Sequence, residues 1–250
     1  MNILLLGGTF EARILAKQLE NNSKYFVTVS MAGVTKAPLK YSENMRFGGF
    51  GGQKGLKNYL KINNIDALVD VTHPFASNIT YNAKVVCEEL KIPRILYERK
   101  AWIEQKNDKW LRLDCEYDLI PYLNNRDVVF IASGRQSAAY FKDQKNIFLI
   151  CRQIDKPKNP FPYGNGRYLI SRPPFSVESE MQLFEDLKVN WLLVKDSGGS
   201  QSEAKLIAAR ELGINVALLN RPKSFGGTIV SELKEVGNWL EGLGLSLIHI

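Results

Sequence analysis

The sequence predicts an α/β protein made of two doubly wound, parallel-sheet domains, and three observations carry that expectation. Apolar runs of strand length alternate with amphipathic helical segments along the 250 residues, the pattern of a parallel sheet with helical crossovers. The pattern begins at Ile3 and begins again at Asp127. The two passes correspond piece by piece: Leu68-Val69-Asp70-Val71-Thr72-His73 takes the place of Leu192-Leu193-Val194-Lys195-Asp196-Ser197, and Ile92 to Arg99 that of Ile214 to Arg221. Each pass closes on a short strand and a helix, Trp110 to Leu123 and Thr228 to Leu240. The expected domains are residues 1–125 and 126–243, facing each other across a cleft lined by strand carboxyl ends, where open α/β sheets bind ligands.

Ile3 to Leu6 is the first strand, and Gly7-Gly8-Thr9-Phe10-Glu11-Ala12-Arg13 leads into a helix with Ala12, Leu15, Ala16 and Leu19 at helical spacing. Strand, glycine turn, helix is the opening unit of a dinucleotide-binding fold, in which the helix N-terminus holds a phosphate. The GxGxxG pattern is partly met: Gly7 and Ala12 occupy the first and third positions, but Thr9 stands where the second glycine would be. A plain tight turn explains the same residues. Tyr25 to Ser30 is the next strand. It ends in Ser30-Met31-Ala32-Gly33 without the acid that would hold the 2′-hydroxyl of NAD, and Lys36 follows, so a 2′-phosphate is favoured over a bare ribose.

Arg46 to Gly55 carries four glycines in five residues and is expected to be a ligand-facing loop, with Gly49 and Gly51 close to the ligand. It is not a Walker A loop, because Lys54 lacks the Gly before it and the Ser or Thr after it. A helix with Leu56, Tyr59 and Leu60 on one face follows. Ala67 to Val71 is a buried strand that delivers Asp70, Thr72, His73 and Pro74 to the sheet edge before a helix from Ser77 through Ile79, Ala83, Val86 and Leu90. Ile92 to Lys100 and Trp110 to Asp114 complete the strands of this pass.

In the second pass Val128 to Ala132 is a strand, Ser133-Gly134-Arg135 a glycine turn and Ser137 to Phe141 a helix. Ile147 to Cys151 is a strand ending at Arg152, and residues 155–175 form one long Pro- and Gly-rich loop carrying Arg172. Ser176 caps a helix with Glu178 and Glu180 in its first turn. Trp191 to Val194 leads to Lys195-Asp196-Ser197-Gly198-Gly199-Ser200, where Ser200 and Glu203 form a capping box. Val216 to Leu219 ends at Arg221, and Ser231 caps the last helix.

Composition narrows the function. Apolar residues make up 45% and charged residues 24%, as in a soluble globular protein. No apolar run reaches the roughly 20 residues that span a bilayer. Met1 to Gly8 lacks a basic leader, so it reads as a strand and not a signal peptide. Cys87, Cys115 and Cys151 are scattered, which fits reduced thiols in a cytoplasmic protein and argues against zinc or disulfides. The net charge of +7 calls for an anionic partner, but the basic residues are dispersed, which argues against nucleic acid. Arg135, Arg152, Lys195 and Arg221 stand at strand ends of the second pass, joined by Arg172, a set suited to a ligand with several carboxylates. Asp70 and His73 are the titratable groups nearest the expected nicotinamide end and are the catalytic candidates, with water as the rival proton source.

Leu6 to Arg13, Ser30 to Gly33, Arg46 to Gly52, Asp70 to Ala76, Arg172 to Phe175 and Lys195 to Gly199 together resemble the precorrin-6A and cobalt-precorrin-6A reductases of cobalamin synthesis, in order from Met1 to Leu240. The resemblance implies two Rossmann-like domains whose last strands are exchanged between the sheets, Trp110 to Leu113 and Thr228 to Val230. It implies NADPH-dependent reduction of a ring double bond in a polycarboxylate tetrapyrrole, giving precorrin-6B, and raises the expectation of contact with the next pathway enzyme. It carries coenzyme contacts onto Gly7, Gly8, Thr9, Phe10, Glu11, Ser30, Lys36, Gly49, Gly51, Thr72, His73 and Pro74. Substrate contacts fall on Arg99, Arg135, Arg152, Arg172, Lys195, Ser197 and Gly198. The chain departs from the family pattern at Val34, where an arginine commonly follows the Ala-Gly, leaving Lys36 as the cation for a 2′-phosphate, and at Lys100, where proline commonly follows Arg99.

Residues 244–250 fit nothing in the pattern and read as a non-native or disordered tail beyond the last helix, so His249 is given no role. Two other functional classes stay open. A short-chain dehydrogenase needs a Tyr-x-x-x-Lys pair, and every tyrosine here lacks it, Tyr81 having Lys84 at three. A non-catalytic dinucleotide sensor would need no second basic edge.

Overall fold

The computed structural model describes residues 1–33 and 42–247. Lys36 and Val34 therefore lie outside the described residues. The first pass runs β1 (Asn2–Leu6), α1 (Phe10–Glu20), β2 (Phe26–Met31), β3 (Met45–Phe47), α2 (Gly52–Ile62), β4 (Ala67–Asp70), α3 (Ser77–Leu90), β5 (Arg94–Tyr97) and β6 (Trp110–Leu113). The second runs β7 (Val128–Ile131), β8 (Phe148–Gln153), β9 (Gly166–Ile170), α4 (Val177–Asp186), β10 (Trp191–Lys195), α5 (Ala204–Glu211), β11 (Asn215–Leu219), β12 (Thr228–Val230) and α6 (Leu233–Leu247). None of the described helices is long and apolar enough to cross a membrane.

Two six-stranded parallel sheets result, ordered β12-β5-β4-β1-β2-β3 and β6-β11-β10-β7-β8-β9. Adding six to each number of β1 through β5 turns the first order into the second, so the internal repeat read from the sequence is real. The sixth strands are exchanged: Thr228 to Val230 pair with Ile95 to Tyr97, and Trp110 to Leu113 pair with Val216 to Leu219. The chain accordingly divides into Met1–Lys100 with Pro222–Ile250, and Ala101–Arg221. The contiguous division at residues 125 and 126 is corrected by this. Each exchanged strand takes its flanking residues with it, so the breaks in compactness fall at Lys100 and Arg221.

β1 shows why the sheets form. Ile3 and Leu5 pack with Leu15, Leu19, Val69 and, from α6, Val236 and Leu240, whereas Leu4 and Leu6 pack with Leu56, Leu60, Val86 and Cys87 of α2 and α3. A strand covered by helices on both faces reads as an unbroken apolar run, since alternate side chains both need cover. In the other unit Phe130, Phe184, Leu192, Val194, Val216 and Leu218 form the equivalent core.

Several local expectations are corrected. The glycine-rich run is not one loop: Met45–Phe47 pairs with β2 and α2 already starts at Gly52, leaving Gly48 to Gly51 as the connection. The long loop 155–175 contains β9, whose register runs from Gly166 against Leu149 to Ile170 against Gln153. Glu116–Tyr122 and Arg135–Phe141 are 3-10 helices. The Ser200–Glu203 capping box does not form; Ser200–Ser202 is a 3-10 turn and Glu203, the residue before α5, makes no side-chain cap. α6 extends to Leu247, so the backbone of Gly244 to Leu247 is helical and not a tail, while residues 248–250, His249 among them, lie outside the described residues.

Candidate active site

In the unit Met1–Lys100 with Pro222–Ile250, the carboxyl edge of the sheet is built from the turns after β1, β2 and β4. Gly8 adopts φ 117, a conformation that favours glycine, and nothing lies within 4 Å of the place a Cβ would take. Thr9 is turned inward. Its hydroxyl accepts from Ala12 N (3.1 Å) as the cap of α1 and donates to Val71 O (2.8 Å), tying the first turn to the end of β4. The side chain of Thr9, expected to meet coenzyme, is therefore occupied by the fold. Phe10 is exposed at the start of α1, and Gly7 N donates to Ser30 O (2.9 Å), fixing the turn against the end of β2.

Glu11 and Arg99 meet. Nε of Arg99 lies 3.3 Å from Glu11 Oε1, with both side chains largely buried, and Glu11 Oε2 is buried without a hydrogen-bond partner. The acid sits in the first turn of α1, where the helix dipole favours a negative charge. The sequence had assigned these two residues to coenzyme and substrate separately; the fold makes them partners.

At the next strand end, Arg46 Nη1 donates to Ser30 Oγ (2.6 Å) and Nη2 to Gly49 O (3.2 Å). Past Gly49, Gly51 caps α2 in the left-handed region, φ 77, and no atom lies within 4 Å of where its Cβ would be.

At the end of β4, Asp70 is fully buried. Its Oδ1 accepts from Thr72 N (3.1 Å) and Thr72 Oγ1 (2.7 Å), Thr72 Oγ1 lies 3.3 Å from Thr80 Oγ1, and Asp70 Oδ2 has no partner. Burial pushes the Asp70 carboxyl above its ordinary range, against the pull of the Thr72 hydrogen bonds and of the Arg94 charge. Burial likewise drives the Cys87 thiol behind it up to about 12, which makes that cysteine inert core. His73 Nδ1 accepts from Phe75 N (3.2 Å), so the neutral ring carries its proton on Nε2. Thr72, His73 and Pro74 line a cleft of about 370 Å³, counted with its open mouth, whose other wall is Leu96, Tyr97 and Glu98 of the β5 end and the returning segment Pro222 to Phe225. That segment was missed in the sequence, because only the strand exchange brings it beside β4.

In the unit Ala101–Arg221 the predicted arginines are held differently from one another. Arg135 is exposed after Gly134, whose φ of 117 repeats that of Gly8. Arg152 points inward and makes two hydrogen bonds with Glu180 (2.8 and 2.9 Å) between the rings of Phe130 (4.7 Å) and Phe175 (4.2 Å). Its fork is committed to a buried carboxylate and so is not presented to a ligand, a correction of the sequence expectation. Arg172, on the surface, pairs with Asp155. Lys195 closes β10, and Ser197 and Gly198 are buried just beyond it. Between them Asp196 is a hub that was not singled out: it accepts from Trp102 N (3.2 Å) and Arg112 Nη1 (3.2 Å), while its carbonyl accepts from Arg221 Nε (2.8 Å). The Arg221 guanidinium is thereby tied to the Asp196 backbone. Among the described residues no group of three or more His, Cys, Asp or Glu is placed to hold a metal.

A family model described as precorrin-6x reductase CbiJ/CobK matches residues 2–241, across both units. The chain belongs to the precorrin-6x reductase family.

Among relatives within this reductase family, a precorrin-6A reductase of Rhodobacter capsulatus is 35% identical over 97% of this chain and 96% of its own. A precorrin-6A reductase of Rhodococcus erythropolis is 37% identical over 88% and 89%. A cobalt-precorrin-6A reductase of Priestia megaterium is 27% identical over 94% and 96%. The solved structure of a CobK precorrin-6A reductase, 34% identical, covers 98% of this chain and 97% of its own with a TM-score of 0.92, which extends the family match to the fold.

The residues present fit the nicotinamide coenzyme that a reductase of this family uses. Open glycine backbone at Gly8, Gly49 and Gly51 leaves room for a ligand to approach, and α1 presents its N-terminus just past Gly8. The basic charge at the end of β2 comes from Arg46, a residue quoted in the family pattern but assigned no role from sequence.

Proposed function

We propose that this member of the precorrin-6x reductase family reduces one ring double bond of precorrin-6A, or of its cobalt counterpart, to give precorrin-6B in cobalamin biosynthesis, with NADPH as donor. Family membership over both strand-exchanged units is the observation that carries the reading. Bound, the coenzyme supplies the hydride.

The chain's own residues bind and orient. Gly7, Gly8 and the α1 N-terminus, flanked by Phe10, take the pyrophosphate. The Arg99–Glu11 pair keeps the acid of that first turn neutralised. Ser30, Gly49 and Gly51 face the adenosine half. Thr72, His73 and Pro74 line the cleft taken for the nicotinamide, whose wall carries His73 together with Tyr97, Glu98 and Lys223 as titratable groups. Asp70 has no surface from which to reach a ligand, so it acts as a positioning residue that sets Thr72. In the other unit Arg135, Arg172 and Lys195, with backbone at Ser197 and Gly198, take substrate carboxylates, and Arg152 braces that edge from within.

Adding precorrin-6A to the chain with NADPH should consume the coenzyme's absorbance in step with precorrin-6A. Intact coenzyme binding without oxidation would overturn the reading in favour of a dinucleotide sensor.

A further inference from the structure

Most buried or paired arginines of this chain face carboxylates. Arg99 meets Glu11, Arg152 meets Glu180, Arg112 meets Asp196, Arg172 meets Asp155 and Arg210 meets Asp108. Arg46 is different. Its guanidinium carbon stands 3.9 Å from the centroid of the Phe50 ring and 5.2 Å from that of Tyr59, and its hydrogen bonds go to a hydroxyl, Ser30 Oγ (2.6 Å), and a carbonyl, Gly49 O (3.2 Å). Among the described residues no carboxylate pairs with it. A half-buried cation compensated only by ring faces and neutral dipoles is an anion site, since desolvating a charge without a counter-charge is unfavourable.

Its position says which anion. Ser30 and Arg46 are direct register partners on β2 and β3, and Gly7 N reaches Ser30 O at 2.9 Å. Arg46 thus stands on β3, two strands over from the glycine turn and beside the end of β2, where a dinucleotide in this fold places its adenosine ribose. A guanidinium has five N–H donors, and among the described residues two groups accept from Arg46, so donors remain for a ligand. The Phe50 and Tyr59 rings beside the guanidinium favour its charged form, and its planar fork can bind phosphate oxygens in a pair.

We infer that Arg46 is the specificity residue for the coenzyme: its fork binds the 2′-phosphate of the adenosine ribose and makes the chain select NADPH over NADH. This rests on the proposed placement of the dinucleotide along the β1, β2 and β4 ends. It assigns to β3 the role that the sequence had left to Lys36.

The test is direct binding of NADPH and of NADH by calorimetry to the wild-type chain, Arg46→Gln, Arg46→Lys and Lys36→Gln. Wild type should bind NADPH the more tightly. In Arg46→Gln that preference should fall by about tenfold to a hundredfold, the range for hydrogen bonds to a charged group, and Arg46→Lys should keep an intermediate preference. Should Arg46→Gln fail to fold, an unchanged preference in Arg46→Lys overturns the inference. So does a folded Arg46→Gln that keeps the wild-type ratio, or loss of the preference in Lys36→Gln alone. A wild-type chain that binds neither nucleotide removes the proposed function itself. A wild type that prefers NADPH, with Arg46 immaterial, removes only this assignment.

Discussion

Replacing Glu180 with alanine should lower the unfolding free energy of the Ala101–Arg221 unit by about 3–5 kcal/mol, the range for breaking a buried ion pair from one side. Glu180 is 2% and Arg152 10% exposed at the side chain, so the pair is out of water. Arg152 Nε is already buried without a hydrogen-bond partner, and among the described residues the guanidinium meets the Phe130 and Phe175 rings besides Glu180. A second cation sits close by. Burial pulls the Lys205 amine down to about 8, with Glu180 opposing the shift and Arg152 adding to it. Loss of Glu180 leaves the buried Arg152 guanidinium without its carboxylate, and removes from Lys205 the group that favours its charged form. Replacing Glu180 and Arg152 together with methionines should recover most of the loss, because apolar groups of similar volume need no partner. Denaturant unfolding followed by circular dichroism, analysed for two units, measures it. A loss in Glu180→Ala below about 1 kcal/mol would mean that the pair contributes no more than an exposed one.

Gly55→Ala should destabilise by about 2–3 kcal/mol and weaken NADPH binding as well, although alanine is the better helix former by about 1 kcal/mol. A Cβ on Gly55 would stand 1.6 Å from Phe50 O and 2.8 Å from Phe50 C. Both are backbone atoms, so the Gly48 to Gly51 connection must move. Phe50 is the floor under Arg46 and packs edge-on against Tyr59 at 5.2 Å, so its displacement disturbs the anion site. Gly237→Ala in α6 is the control: nothing lies within 4 Å of its Cβ position, and the exchange should be neutral or slightly stabilising. If Gly55→Ala matched Gly237→Ala in both measurements, the close approach at Phe50 would be wrong.

The sequence made the strands legible where apolar runs were bounded by turns, and Trp110 to Leu113 and Thr228 to Val230 were read to within a residue. Their destinations were not legible from pattern. Pairing partners more than a hundred residues apart leave no local mark, and the exchange came from the family resemblance alone. β3 and β9 were missed for one reason: glycines and prolines crowd around them, and those residues signal a loop whatever lies between. At Gly166 the glycine is a packing requirement, since a Cβ there would meet Leu149 O and the Phe161 ring at 2.6 Å.

Site residues followed the same division. Gly8 and the Thr72-His73-Pro74 turn were recognisable because strand-end turns are set locally. Arg152 looked like its neighbours Arg135 and Arg172, and only tertiary packing brings Glu180, 28 residues on, beneath it. Glu180 itself had a sufficient local explanation as a first-turn acid, which hid its partner. Arg46 was overlooked because a single arginine beside four glycines carries no sign that Phe50 and Tyr59 will stack under it.

The most direct test of the account is the fate of hydrogen in a single turnover. With precorrin-6A and NADPH carrying deuterium at the transferred position of the nicotinamide, mass spectrometry should find a reduced macrocycle holding one deuterium from the coenzyme and one hydrogen from solvent, with one NADPH oxidised for each product formed. A macrocycle returned unchanged while NADPH remains bound, or a reduced product without coenzyme-derived deuterium, would contradict it.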